Sequence, residues 1–286
     1  MKGLFVCVLL SLPSAVYAAP DGEEYTDAGL TLTAGPGGYS GLNLFAQWGD
    51  DVYHLRPSLN TYSSDGAERY SSFALFGGAD RGEWAVSAGL SVTPETGGYS
   101  ATGLQGELTW DPPGGFSLDE LYLGVFAGFT AHEDLYAASA ASSGPGRRQP
   151  GASRPAPFRL AQYDYGLSGS ARSGGVRFSA RFTLTSYDKD IAGDARALPT
   201  DLGAIGSSGF PDHSLSLRAS LPSVTLSPWA GYSRTRYLLD QPSGEAFMAG
   251  LSLPAGPAEV SASWEGLSHG GSAMDNYFSL GLTWSF

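Results

Sequence analysis

The chain has 286 residues, a formal net charge of −12, and only 15% charged side chains. An acidic chain with few cations is a poor partner for nucleic acid, because phosphate backbones are bound by clustered positive charge. The 40 glycines and 18 prolines argue against a helical protein. The mean hydropathy of −0.10 is compatible with strands whose apolar and polar residues alternate.

The first 18 residues are predicted to be a cleaved secretory signal peptide. Met1 and Lys2 give a short positive start, and residues 4–12 are an apolar run too short to cross a bilayer as a helix. Small residues at 16–18 offer a cleavage site. The only cysteine, Cys7, lies inside this segment, so residues 19–286 have no thiol for a disulfide, a metal or a nucleophile. We expect residues 19–286 to form a single domain.

Segments in which apolar residues alternate with small or polar ones recur along this domain. Such alternation gives a strand one apolar and one polar face. Most segments are about 9–12 residues long, which suits a tilted strand that crosses a bilayer. Losing one of the weaker segments with its hairpin partner would leave twelve strands. About fourteen strands are predicted, at residues 25–33, 39–48, 52–62, 70–79, 83–92, 99–110, 119–130, 161–172, 175–187, 212–221, 223–236, 245–253, 258–268 and 276–286.

The connections between these segments differ in length according to their order. Connections after even-numbered strands are short, and the two longest, residues 131–160 and 188–211, both follow odd-numbered strands. Outer-membrane barrels have short periplasmic turns and longer extracellular loops. The pattern predicts that both ends of the domain are periplasmic.

The last predicted strand carries the most specific signal. Its apolar residues alternate with small or polar ones up to a terminal aromatic residue, and they are Phe278, Leu280, Leu282, Trp284 and Phe286. This strand resembles the closing strand of bacterial outer-membrane β-barrels, which the barrel assembly machinery reads. The resemblance implies an all-β, transmembrane, antiparallel up-and-down barrel in the outer membrane, surrounded by lipid and lipopolysaccharide.

The polar faces of the predicted strands supply candidate pore-lining residues. A barrel of about fourteen strands has space inside beyond what side chains fill, so we expect an outer-membrane channel, porin-like, for passive diffusion of ions or small hydrophilic solutes. The alternative is that the charged residues cross-link one another and fill the lumen. The candidate lining residues are Arg56, Glu107, Asp164, Arg177, Arg181, Arg218 and Glu265.

Two arrangements of these residues are expected. If Ala171 lies opposite Val176, Asp164 faces Thr183 and forms a cross-strand pair with Arg181, one diagonal step away. Three arginines with the same facing on neighbouring strands are expected to form a basic strip, and they are Arg177, Arg181 and Arg218.

The insert at 131–160 offers a second type of function. Its composition suits a mobile solvated loop, but it carries four arginines, Arg147, Arg148, Arg154 and Arg159. These either contact lipopolysaccharide phosphates, for which arginine is suited, or enter and constrict the pore. The rival function is a non-conducting surface protein, adhesin or structural barrel that acts through 131–160 and 188–211.

A third type of function is an outer-membrane lipid hydrolase or protease. Such an enzyme needs a histidine beside a serine or carboxylate at the outer rim, and His132, His213 and His269 have such neighbours in the sequence. Neighbours in the sequence need not be neighbours in the active-site geometry, so no catalytic residue is assigned. No metal site or cofactor is predicted either. Without a lipid-facing polar patch, we expect a monomer.

Overall fold

Fourteen antiparallel strands form a closed barrel in a computed structural model of the chain, which describes residues 24–66, 68–113, 118–135, 158–191, 209–222 and 225–286. Each strand pairs with its neighbours in the chain, and the first strand pairs with the last. No helix in these ranges is long and apolar enough to cross a bilayer. The strands are β1 (Tyr25–Ala34), β2 (Ser40–Gly49), β3 (Tyr53–Ser63), β4 (Tyr70–Arg81), β5 (Trp84–Thr96), β6 (Tyr99–Trp110), β7 (Glu120–Asp134), β8 (Phe158–Ser173), β9 (Val176–Tyr187), β10 (Pro211–Ser220), β11 (Ser227–Tyr237), β12 (Gly244–Ala255), β13 (Ala258–His269) and β14 (Asp275–Ser285).

The predicted all-β up-and-down barrel is confirmed, with fourteen strands rather than twelve. The largest differences in strand bounds are four residues each: β5 ends at Thr96 rather than 92, β7 ends at Asp134 rather than 130, and β11 begins at Ser227 rather than 223. Since β8 also begins at Phe158 rather than 161, both ends of the predicted 131–160 insert belong to strands. The predicted signal peptide, residues 1–18, lies outside the described residues, as do Arg147, Arg148 and Arg154.

The outer face of the barrel is apolar. Large apolar side chains are exposed along it, and the most exposed include Leu104 at 58%, Leu167 at 60% and Leu280 at 64%. Water-soluble proteins rarely expose apolar patches of this extent. A lipid-facing barrel needs such a face, and its closure leaves no strand edge with unpaired backbone groups in the lipid.

One ion pair lies on this outer face. Arg234 on β11 lies 3.8 Å from Glu245 on β12, and the Tyr232 hydroxyl donates to the same carboxylate at 3.3 Å. Arg234 is opposite the lipid-facing Leu215. The sequence predicts no polar patch on this face. The pair lies near the barrel end that carries the connections from 135 to 158 and from 191 to 209. We call this the loop end and the opposite one the turn end.

The pairing of β14 with β1 closes the barrel. Leu280 lies opposite Leu32 and Leu282 opposite Leu30, so apolar residues of both strands share the outer face. Beyond the strand end, the Phe286 backbone N–H donates to the Thr26 carbonyl at 2.9 Å. All five apolar residues of the predicted closing strand are exposed on this face, with Phe286 at 79%.

The turn between β8 and β9 sets a register that differs from the expected one. Ser173 pairs directly with Val176, so only Gly174 and Gly175 form the turn, and both have positive φ (57° and 83°). Two consecutive left-handed residues make the two-residue hairpin turn that matches strand twist. The expected pairing of Ala171 with Val176 is therefore wrong. The register moves by two residues, and Asp164 lies opposite Thr185.

Arginine on the outer face should be costly. Leu90 in the middle of β5 faces outward and is 47% exposed, so Leu90→Arg should lower the free energy of unfolding by about 2–4 kcal/mol, as for arginine at a bilayer midplane. Ser91→Arg, one residue away on the inner face, should cost much less. Chemical unfolding of both variants in lipid vesicles measures this, and equal costs would contradict the assigned strand facing.

Candidate functional site: the lumen wall

The inner face of the barrel consists mainly of small polar residues. Glycine, serine and threonine predominate at inward positions on β9 to β14. Fourteen strands spaced by about 4.8 Å and tilted by about 40° enclose a backbone cylinder roughly 28 Å across. Small side chains extend only a short way into such a cylinder, so the described wall from β9 to β14 leaves space beside it.

One charged cluster spans four neighbouring strands of the wall. Arg181 on β9 forms a salt bridge with Glu107 on β6 at 3.2 Å, and the Ser168 hydroxyl on β8 donates to the same carboxylate at 2.5 Å. The side chains cross β7 at Gly124, where a Cβ atom would lie 3.0 Å from Glu107 Oε1 and would collide with the Ser168 hydroxyl. The glycine thus lets the cluster lie flat against the wall.

A second cluster lies at the turn end. Glu120 at the start of β7 binds Arg177 at 2.7 Å and Arg172 at 3.0 Å. Sequence reasoning missed Glu120 and Arg172, although a carboxylate and a guanidinium at the ends of two neighbouring strands were a usable signal. The cluster gives Arg177, one arginine of the expected basic strip, a carboxylate partner, but the two arginines share one negative charge and the cluster keeps one net positive charge.

Three lumen arginines stack on aromatic rings of the same wall. A guanidinium over a ring gains cation–π attraction and is kept close to the ring. Each ring in turn lies over a glycine of a neighbouring strand, where a Cβ atom would collide with it. The stacks are Arg56 over Phe45 at 4.2 Å with Gly29 beneath, Arg181 over Phe126 at 3.5 Å with Gly166 beneath, and Arg218 over Trp229 at 4.2 Å with Gly250 beneath.

All seven predicted lining residues lie on the inner face, but their expected pairing differs. Asp164 does not bind Arg181. Its carboxylate instead accepts hydrogen bonds from Thr185 at 2.7 Å and from Gln162 at 2.9 Å. Arg181 is instead held by Glu107. Glu265 lies on β13, three strands from Arg218, and forms no salt bridge within the described part of the chain.

The expected basic strip exists as a geometric arrangement. Arg218 on β10 lies opposite Ser179, and that serine lies between Arg177 and Arg181 on β9. Two of these three arginines are bound to glutamates. Arg181 and Glu107 cancel one another, whereas Glu120 is shared by Arg177 and Arg172. The strip is therefore partly neutralised, and among the described residues Arg218 is its one arginine without a carboxylate partner.

The lumen wall is more tightly packed near the loop end. Leu160, Ile191 and Phe210 are each 2% exposed and form a buried apolar cluster. Ile191 and Phe210 belong to the two described ends of the connection between β9 and β10, so this cluster holds those two ends against the barrel.

The three histidines that were candidates for a hydrolase site lie on different strands and do not form one cluster. His132 faces the lumen from β7, where its ring contacts the Tyr99 hydroxyl at 2.9 Å and the Gln162 amide oxygen at 3.3 Å. His213 lies opposite the lipid-facing Leu184 on β9 and contacts Asp212 at 3.0 Å. His269 is at the end of β13. Nor does the described portion of the chain contain a group of three or more side chains suited to a metal ion.

Arg159 is the one arginine of the 131–160 insert that the structure describes. It forms a salt bridge with Glu133 at 2.7 Å, and its side chain is 72% exposed. The nearby Lys189 ammonium donates to the Arg159 carbonyl. The guanidinium is therefore partly neutralised, and contact with lipopolysaccharide phosphates stays a prediction for it.

No protein-family model and no curated protein matches the chain. Three similar solved structures are CdiB from Acinetobacter baumannii (TM-score 0.49, 8% identity, 92% of this chain and 60% of that one), a bacterial polysaccharide outer membrane secretin (0.48, 11%, 94% and 100%) and the NanC porin (0.43, 13%, 91% and 98%). The chain thus spans 60% of the length of CdiB. The closed fourteen-strand barrel with its apolar outer face is the architecture of an outer-membrane β-barrel.

The glycine beneath the Arg181 stack should be hard to replace. A Cβ atom at Gly166 would collide with the Phe182 carbonyl and lie 2.8 Å from the Phe126 ring, whereas at Gly169 it would meet only ordinary contacts of 3.5 Å or more. Gly166→Ala should therefore lower the free energy of unfolding by about 1–3 kcal/mol, and Gly169→Ala by less than about 0.5 kcal/mol. Unfolding of both variants in vesicles tests this, and equal stabilities would refute the close packing.

Proposed function

We propose that the chain is an outer-membrane channel for passive diffusion of ions or small hydrophilic solutes. One observation carries the proposal: the charged side chains of the lumen are tied to the wall rather than to one another across the axis. Arg181 and Glu107 lie flat over Gly124, and Arg56 and Arg218 lie on rings of neighbouring strands. Wall-bound charges leave the axis open for solvent.

The exposure of the charged side chains supports an open lumen. The side chains of Arg181 and Glu107 keep 17% and 21% of their surface exposed, and that of Arg172 keeps 36%. In a barrel filled by cross-linked charges, these groups would be buried like the side chains of a protein core. The arrangement therefore favours a channel over a filled structural barrel.

The positions of the charged side chains determine the ion selectivity expected of such a channel. Guanidinium and carboxylate groups share the wall from β6 to β10, whereas Arg56 lies on the opposite wall, on β3, seven strands from β10 in either direction. Charged groups on a pore wall bias which ions enter and pass. We infer weak selectivity, because most of the opposite charges neutralise each other locally.

The same proposal covers orientation and partners. We infer that the turn end is periplasmic, with both termini, and that a single barrel is surrounded by lipid and lipopolysaccharide. The tight turn after β2 fits a periplasmic turn. Asp50 there accepts hydrogen bonds from the backbone N–H groups of Val52 at 2.7 Å and Tyr53 at 2.6 Å, and these donors lower the pKa of its carboxyl group.

Current through the refolded protein in a planar bilayer tests the proposal. Discrete current steps under a salt gradient are expected from a protein whose folding is verified by its heat-dependent mobility on a gel. A folded barrel that passes no current would overturn the proposal and favour the surface protein or the hydrolase.

The wall cluster makes a specific prediction for ion selectivity. Arg181→Ala should leave the Glu107 carboxylate uncompensated, so the cation-to-anion permeability ratio should rise on the order of twofold. The double variant Arg181→Ala/Glu107→Gln should return near the original ratio because both charges are gone. Reversal potentials under a salt gradient measure both effects, and unchanged potentials in the single variant would mean that the cluster does not face the permeation path.

The closing strand makes a prediction for assembly. We propose that Phe278, Leu280, Leu282, Trp284 and Phe286 form the signal read by the barrel assembly machinery. Phe286→Ala keeps the backbone bond to Thr26, so refolding in vitro should be unchanged while the amount of folded protein in the outer membrane falls. Equal membrane levels of variant and original protein would refute the signal, and a refolding defect would instead indicate a structural role.

A further inference from the structure

One sector of the lumen wall carries a single charge. The inward positions of β11 and β12 and those of β10 from Ser214 to Ser220 are mostly serine, threonine and glycine. Arg218 is the only charged residue at these positions. No negative charge within this sector compensates it. The row of paired residues that starts at Arg218 reaches a carboxylate only at Glu265 on β13, three strands away, with which Arg218 forms no salt bridge in the described part of the chain.

Trp229 holds the Arg218 guanidinium in place. The guanidinium carbon lies 4.2 Å from the centre of the ring, and the ring lies over Gly250, where a Cβ atom would be 2.6 Å from it. Stacking covers the flat face of a guanidinium and leaves the N–H donors in its plane available. The side chain is thus oriented in advance, and no acceptor among the described residues binds its N–H groups.

The neighbouring arginines do not share this property. Arg177 is bound to Glu120 at 2.7 Å and Arg181 to Glu107 at 3.2 Å. In the described part of the chain, no carboxylate lies within salt-bridge distance of Arg218. Hydroxyl groups surround it instead, since Ser179 lies opposite and Ser216 and Ser220 flank it on β10.

From this arrangement we propose that Arg218 is the docking site for the carboxylate group of a small solute in the lumen. The inference rests on the proposed channel function and names a substrate class for it. A guanidinium presents two parallel donors that match the two oxygens of a carboxylate. One uncompensated positive charge fits a monoanion better than a dianionic phosphate, because the adjacent arginines are already engaged by glutamates.

Binding of 4-fluorobenzoate to the refolded barrel in detergent, followed by fluorine NMR, tests the site without any need for current. Arg218→Ala should weaken binding roughly tenfold to a hundredfold, the loss expected for a charge-assisted hydrogen-bond pair. Arg218→Lys keeps the charge but not the planar fork, so it should restore only part of the affinity. Arg236→Ala removes the same charge from the exposed outer face and should leave the affinity unchanged.

The outcomes separate the docking site from the channel. Unchanged binding in Arg218→Ala, or equal losses in Arg218→Ala and Arg236→Ala, would overturn the site even where the barrel conducts ions. Inorganic phosphate that displaces 4-fluorobenzoate at an equal concentration would overturn the preference for monocarboxylates. Binding that depends on Arg218 in a barrel without current would leave the site standing and overturn only the channel function.

Discussion

Backbone hydrogen bonding in lipid is the constraint on which the rest of the structure depends. A peptide group in hydrocarbon has no water to bind, so every strand edge must be paired, and only closure achieves this for a sheet. β14 therefore pairs with β1, with Leu280 opposite Leu32. Once the ring is closed, the two-residue period assigns each side chain to lipid or lumen, and the function of the wall follows from which residues fall inside.

The inner wall adds a packing rule to this pattern. Bulky inward side chains can lie along the wall only where a neighbouring strand has no Cβ atom in the way, and glycines supply these positions. Gly166 accommodates the Phe126 ring, and that ring carries Arg181. The glycine content that argues against helices at the level of composition thus has a local role in the barrel, because it lets rings and guanidinium groups lie along the wall instead of across the lumen.

Most of the fold could be predicted from the sequence because alternation is a local property. Strand number, facing and the closing strand all follow from it. The register between β8 and β9 could not be predicted from alternation, because it depends on whether the turn takes two residues or more. Gly174 and Gly175 form the whole turn, and this shift of two residues moved Asp164 away from Arg181 without changing the face on which either lies.

The same distinction explains why the lining residues were found and their partners were not. Facing depends on parity along one strand, whereas Glu107 reaches Arg181 across two intervening strands. Such a contact depends on the small residue at Gly124 and on the curvature of the barrel, neither of which a single strand reveals. The net charge of the chain therefore does not predict the ion selectivity of this lumen. What matters is which charges lack a partner on the wall, and in the basic strip that charge is Arg218.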